Sequence, residues 1–273
     1  MEKKELPYLI VLALPVLIVA LAFFLLPMVR LAFIAGSGEE GLSVYTSVLT
    51  TPRYLESVIA TTVLAGVTTI ATLAIATIAG LFLERNRFPG RDMLVSLLTF
   101  PLAFPGVVVG FMVIMLAGRQ GLIGQITKAL TGDKLVFAYS ITGLFVGYVY
   151  FSIPRVILTI MAASEKLDIA LEEAARSLGA SPWQVVRDVI LPALTPALIA
   201  SGAIAFATAM GAFGTAFTLA TNIDVLPMTI YTEFTLRANI ATAAALSIVL
   251  GIITWVVLNI ARSLAGNTVA AAG

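Results

Sequence analysis

Two zeros define what chemistry this chain is able to do. Its 273 residues include no histidine and no cysteine. The commonest general base, the commonest transition-metal ligand and any thiol nucleophile, disulfide or thiolate metal site are therefore missing. That weighs against hydrolytic enzymes of the usual kinds and leaves reactivity to carboxylates, 15 of them against 16 lysines and arginines. The carboxylates do not converge; they fall in loops or at the ends of apolar runs. No G-x-x-x-x-G-K-[ST] phosphate cradle occurs, so the chain carries no nucleotide site of that type. A net charge of +1 argues for neither nucleic acid nor an acidic substrate. The longest charge-bearing stretch is KLDIALEEAARSLGASPWQVVRDVILPALTP, Lys166 to Pro196. It presents small residues beside carboxylates, a composition suited to gripping another protein rather than to turnover.

That stretch reads as two short helices joined at a glycine. Asp168 is an N-cap for the first, and Leu167, Leu171, Ala174, Ala175 and Leu178 fall at helical spacing on one face. Glu172, Glu173 and Arg176 lie on the other, with Glu172 four residues before Arg176, the favourable order for a pair. Gly179 supplies the C-terminal stop, because it turns left-handed without steric cost. Ser181-Pro182-Trp183-Gln184 starts the second helix with a hydroxyl N-cap, proline at the first helical position and a capping-box glutamine. Pro192 and Pro196 are expected to end that helix or kink it sharply.

The elements that must position this segment are membrane spans. The chain is 60% hydrophobic and 11% charged, and uncharged stretches of about 20 residues or more read as membrane-crossing helices. Six are visible, at residues 6–29, 57–83, 93–118, 135–163, 195–223 and 238–261, with the charged segment occupying 164–194. The first run is too long for a signal-peptide core and lacks a small-x-small cleavage site, so it reads as a retained span. With the N-terminus inside, Lys3, Lys4, Arg85, Arg87, Arg91, Arg155, Lys166, Arg176, Arg187 and Arg262 are cytoplasmic. Arg30, Arg53, Arg119, Lys128, Lys134 and Arg237 are then outside, ten against six of the 16 basic residues. This orientation puts the helical segment and both termini in the cytoplasm. Arg155, inside the fourth run, must snorkel or face protein. Glu84 to Asp92 is a short charged turn between spans two and three, a positive-inside anchor around Pro89-Gly90. Neither a tandem repeat nor a linker divides the chain, which reads as one domain.

Glu173-Ala174-Ala175, Gly179 four residues on, and Leu191-Pro192 twelve residues after the glycine resemble the EAA loop of permease subunits of binding-protein-dependent ABC importers. Val189 stands where that loop usually has isoleucine, a mild apolar swap. The resemblance implies an all-α membrane protein: six transmembrane helices with a cytoplasmic coupling helix-turn-helix between spans four and five. By the same resemblance, Glu172, Glu173, Ala174, Ala175, Arg176, Gly179, Leu191 and Pro192 couple the chain to a separate ATPase. It further implies two ATP-binding cassette subunits, a second permease subunit, an extracytoplasmic solute-binding protein and a prokaryotic inner-membrane location. ATP and Mg would sit on the partner ATPase, with no cofactor on this chain.

Two regions bear on the translocation path. Span three holds Pro101, Pro105 and Gly106, which break a helix, and interrupted helices at membrane depth line cavities or are buried. Span five carries Ala203, Ala207, Gly211 and Thr215 at close-packing spacing; Gly211 to Thr215 either pack helices or line the route, with Gly214 among them. Phe104 and Phe213 would be gates. Asp224 and Glu233, in an outer loop, are either solvated or meet a binding protein or a cationic substrate. GAFGTAFTL followed by LPMTIY resembles the permease branch that handles polyamines, sulfate-like oxyanions, iron and phosphonates. Oxyanion permeases usually show Glu-Phe-Gly where this chain has Ala212-Phe213-Gly214, and single length disfavours iron. A polyamine is the favoured solute, with an aminophosphonate or sulfate/molybdate-like oxyanion as the alternative. A secondary transporter or channel is a remoter reading, since it would need an ion site and only Arg155 is a charge within a span.

Overall fold

A backbone crossing hydrocarbon must satisfy its own polar groups, so apolar runs of this length become helices. The computed structural model describes residues 6–38, 41–219 and 223–265, and among them there is no strand. In chain order the helices are α1 (Leu6–Ala20), α2 (Leu26–Gly36), α3 (Val44–Thr50), α4 (Pro52–Arg85), α5 (Arg91–Thr99), α6 (Gly106–Ala117) and α7 (Leu122–Thr131). They continue with α8 (Ile141–Glu165), α9 (Ile169–Ser177), α10 (Pro182–Val185), α11 (Leu191–Met210), α12 (Phe213–Leu219), α13 (Leu226–Tyr231) and α14 (Ile240–Ala265). Six stretches are long and apolar enough to cross a membrane: Leu12–Gly36, Pro52–Arg85, Gly106–Thr131, Ile141–Glu165, Pro182–Met210 and Ile240–Ala265. The expected all-α, six-span fold is the one found.

The bounds differ: the third stretch covers Gly106–Thr131 where 93–118 was expected, and the fifth covers Pro182–Met210 where 195–223 was expected, taking in the end of the charged segment. Span two is longer at both ends, with Pro52 at its first position. Span three is interrupted: α5 gives way to a 3-10 turn at Phe100–Ala103, and α6 starts only at Gly106. Span four begins at Ile141 rather than 135, because Ser140 caps it, its hydroxyl accepting from the Gly143 amide at 3.4 Å. Pro192 and Pro196 do not end the second helix of the charged segment, contrary to expectation. A π turn at Val186–Ile190 joins α10 to α11, with the Leu191 amide donating to Val186. Its wider register eases the clash that Pro192 would make in an α-helix. Residues 220–222, where span five was expected to finish, and Lys3 and Lys4 lie outside the described residues.

Two compact units are distinguishable. One comprises residues 1–56 and 229–252, the other 57–228 and 253–273. In the first, Ala35, Val44, Val48 and Leu246 are buried. In the second, Ala76 and Leu83 of α4, Val156, Ile157 and Ile160 of α8, Val185, Ile190 and Leu194 form one apolar cluster. Gly80 lets α4 and α8 approach: a Cβ there would lie 3.0 Å from Ile160. With lipid as apolar as leucine, such close packing is what holds spans together.

Candidate functional site

The segment from Lys166 to Pro196 is built from locally encoded stops and starts. Asp168 Oδ1 accepts from the Ala170 amide at 2.9 Å and opens α9. At the other end the Ala180 amide donates to Ala175 and the Gly179 amide to Arg176, with Gly179 at φ +87°. This is the paired pattern of a left-handed glycine stop. Ser181 and Gln184 then form a reciprocal capping box: the Ser181 amide donates to Gln184 Oε1 at 2.7 Å, and the Gln184 amide to Ser181 Oγ at 3.4 Å.

The three polar residues that the sequence puts on one face of α9 do not share an environment: Glu173 and Arg176 are exposed, whereas Glu172 is buried. Glu172 has a side chain only 4% exposed. Arg85, the last residue of α4, grips it through both guanidinium ends, with Nη1 donating to Oε2 at 2.9 Å and Nη2 to Oε1. Arg176 adds a third bond, Nη2 to Oε2 at 3.2 Å. Of the apolar face, Leu171 and Ala174 are exposed, and Leu178 is 89% exposed. Of that face only Leu167 and Ala175 pack against the apolar cluster. The free surface therefore carries Ile169, Leu171, Glu173, Ala174, Leu178 and Trp183 together with Gly179. Leu191 is half-buried and Pro192 exposed at the start of α11. Arg91 braces the other side of the α4 terminus: its Nε donates to the Leu83 carbonyl at 2.6 Å, and it pairs with Glu84 and Asp92.

Deeper in the second unit, the interruptions of spans three and five meet. Thr215 Oγ1 donates to the Gly106 carbonyl at 2.9 Å, and Tyr148 donates to the Ala212 carbonyl at 2.8 Å. Each hydroxyl occupies a carbonyl beside a helix break, as buried backbone requires. A Cβ on Gly110 would lie 2.6 Å from Thr218 Cβ, one on Gly147 3.0 Å from Thr215, and one on Gly214 3.0 Å from the Val107 backbone. Pro105 and Gly211 sit at the two breaks and are exposed. Phe104 is paired edge-on with Phe100 at 4.8 Å, and Phe213 with Phe217 at 5.3 Å, each ring with a near neighbour in sequence. Gly110, Gly147 and Tyr148 were missed in the sequence; the Gly106-x-x-x-Gly110 and Gly143-x-x-x-Gly147 spacings were the available signal. Arg155 lies mid-way along α8, and its Nη1 donates to Thr208 Oγ1 at 3.0 Å.

Glu233 requires a correction. It was expected in an outer loop, but it lies in a π turn, Thr232–Leu236, continuing α13. It is 1% exposed, with Arg237 at 3.0 Å and Arg53 at 3.7 Å. The two arginines neutralise it where a solvated carboxylate was expected. Asp224 is exposed. No group of three or more acidic side chains placed to hold a metal ion occurs among the described residues.

Comparison with known proteins accounts for this architecture. The chain is 34% identical over 203 residues to "Sulfate permease 2, chloroplastic" of Chlamydomonas reinhardtii, covering 72% of this chain and 54% of that protein. To "Molybdenum transport system permease protein ModB" of Escherichia coli K12 it is 35% identical over 171 residues, 61% of this chain and 74% of that one. The chain thus spans little more than half the length of the first relative and about three quarters of the second. In fold it is similar to a subunit of a bacterial ABC transporter involved in the import of the acidic polysaccharide alginate, with a TM-score of 0.80 at 18% identity over 96% of both chains. The profile of the family described as "Binding-protein-dependent transport system inner membrane component" matches residues 76–268, and the chain belongs to that family.

Proposed function

We propose that this chain is the membrane-spanning subunit of an ATP-driven importer and that α9 is the element that docks the ATPase. The observation that carries this is the exposed apolar surface of α9 beside a buried Glu172. A short helix that turns Leu171, Ala174 and Leu178 outward while burying a carboxylate is built to be covered by another protein. Glu173, Ala174, Ala175 and Gly179 lie on or beside that surface, with Leu191-Pro192 where the segment enters span five. ATP and Mg belong to the docked ATPase, whose closure would displace α9. The Arg85–Glu172 pair would carry that displacement into α4, and the apolar cluster would carry it into α8 and α11. Coupling of this kind is reciprocal, so solute delivery from outside would bias ATPase closure in return. Two ATPases, a second permease subunit and an extracytoplasmic binding protein complete the assembly, in a prokaryotic inner membrane with both termini cytoplasmic.

For the solute, a tetrahedral oxyanion such as sulfate or molybdate is the better reading. The names of two relatives support it. Arg53 and Arg237 also occupy Glu233, which removes it as a cation contact; the polyamine preference itself rested on the resemblance of GAFGTAFTL and LPMTIY to a permease branch. The test is uptake into proteoliposomes holding the permease, its ATPase and its binding protein, offered radiolabelled sulfate, molybdate and putrescine. ATP-dependent uptake of an oxyanion alone is the expected result. Putrescine uptake would restore the polyamine reading, and ATP-independent uptake would sink the importer reading altogether.

A further inference from the structure

We propose that Arg155 and Thr208 form an anion-binding station at membrane depth, on the face of the chain that lines the translocation route. The proposal rests on the importer reading above and adds where the solute is held within the membrane.

Depth comes first. Arg155 lies 14 residues after Ile141 and 10 before Glu165. At about 1.5 Å per residue, that is roughly 21 Å and 15 Å from the two helix ends. A hydrocarbon core of about 30 Å centred on this helix encloses it. Its head group is held at the level of Thr208, three residues before the interruption of span five at Gly211. The interaction that fixes it therefore points to the break.

Charge comes second. Among the described residues no carboxylate lies within 4.0 Å of Arg155. Its guanidinium donates one hydrogen bond, to Thr208 Oγ1, and the rest of its donor fork is uncommitted. The Thr208 hydroxyl in turn donates to the Ile204 carbonyl at 2.8 Å, which leaves its oxygen free to accept from the arginine and hold it in place. This is an oriented cation without a counter-ion. Facing acyl chains, such a group would cost several kcal/mol.

The third feature is the surface it shares. Arg155, Leu158, Ile204 and Gly211 are all exposed, so α8 and α11 present the cation beside the helix break. Unpaired charge and irregular backbone are each tolerated at membrane depth where water or another protein chain covers them. Two independent features thus mark this face as covered by water or another chain rather than by lipid, and an aqueous route satisfies both. The sign of the charge selects the solute: a dianion gains a charge-assisted hydrogen bond and an amine is repelled. A single arginine with one hydroxyl neighbour is also a weak site, which a transport route needs, since the ion must leave.

The test exploits the absence of cysteine from the chain, which makes an Arg155→Cys variant the only thiol on this subunit. In the complete reconstituted transporter, sulfate and molybdate uptake by Arg155→Cys and Arg155→Gln should fall about tenfold or more, the range for losing a charged hydrogen-bond partner. Arg155→Lys should retain more uptake than either. A cationic, water-soluble methanethiosulfonate should label Arg155→Cys during ATP turnover, more slowly with sulfate present, and restore uptake. The anionic reagent should label it without restoring uptake. Restoration on the already folded protein separates loss of charge from loss of structure. Wild-type uptake by Arg155→Gln, labelling by lipid-soluble reagents alone, or labelling indifferent to sulfate and molybdate would each overturn the proposal. If the wild-type transporter moves no oxyanion, the solute reading fails and this proposal with it. If the wild type moves oxyanions and Arg155→Gln does so equally, this proposal falls alone.

Discussion

Replacing Glu172 by alanine should release α9 from the end of span two. The carboxylate is 4% exposed and receives two bonds from Arg85 and one from Arg176, whose side chains are 33% and 55% exposed. Removing one partner of a fully buried pair costs about 3–5 kcal/mol. Arg85 is a third open to solvent and recovers hydration, and the exposed Arg176 arm contributes only about 0.3–0.5 kcal/mol. A net loss of about 2–3 kcal/mol for docking α9 follows. At about 1.4 kcal/mol per factor of ten, α9 should open roughly 30–150 times more often. Hydrogen exchange read by mass spectrometry on peptides covering 168–178 measures this directly. The amides of α8, which the substitution does not touch, serve as the internal reference. Acceleration confined to α9, with uncoupled ATPase activity in the assembled transporter, is the expected result. Exchange within about threefold of wild type would show that Glu172 does not hold the helix and would refute the transmission route through Arg85. The swap Arg85→Glu with Glu172→Arg should recover part of the protection, since it restores an attractive pair.

Gly179 separates backbone from surface effects. An added Cβ meets nothing within 4 Å there, although φ is +87°, so Gly179→Ala should cost only about 1 kcal/mol and keep most ATP-driven uptake. Gly179→Asp and Glu173→Arg change the charge of the docking surface and should abolish uptake at near-normal membrane insertion. Uptake surviving both charge changes would refute the assignment of that surface. At the junction of spans three and five, Gly110→Ala would drive a methyl to 2.6 Å from Thr218 Cβ. Overpacking of that kind costs about 1–3 kcal/mol and should lower the Tm of the purified subunit. An unchanged Tm would mean that the two interrupted spans part without penalty.

What was legible in the sequence followed from interactions that close within a few residues. The Asp168 cap, the Gly179 stop and the Ser181–Gln184 box each involve neighbours in the chain, so residue type and spacing determine them. The six spans follow in the same way, from apolar length alone. Pro101 and Pro105 marked the interruption of span three, because proline lacks an amide wherever it stands, whereas the end of α11 at Met210 fell inside a stretch that read as one span.

Tertiary structure decided which side of each element is free. Helical spacing groups Glu172 with Glu173 and Arg176 on one face, and the fold buries the first while leaving the other two exposed. Its partner Arg85 lies 87 residues earlier in the chain, beyond any local pattern. Glu233 is paired with Arg53 from the other end of its unit, so a loop carboxylate in the sequence became a buried ion pair in the fold. The contact between the two helix breaks joins residues 109 apart. Hydrogen bonds local in sequence are set by composition and order, whereas the burial of a charge depends on which distant charge the fold brings to it. The sequence by itself therefore determined the number of spans and the helix–glycine–helix segment with its caps. Only the folded chain decided that α9 leaves its leucines exposed while burying Glu172, and that no carboxylate among the described residues lies within 4.0 Å of Arg155 beside the broken helix.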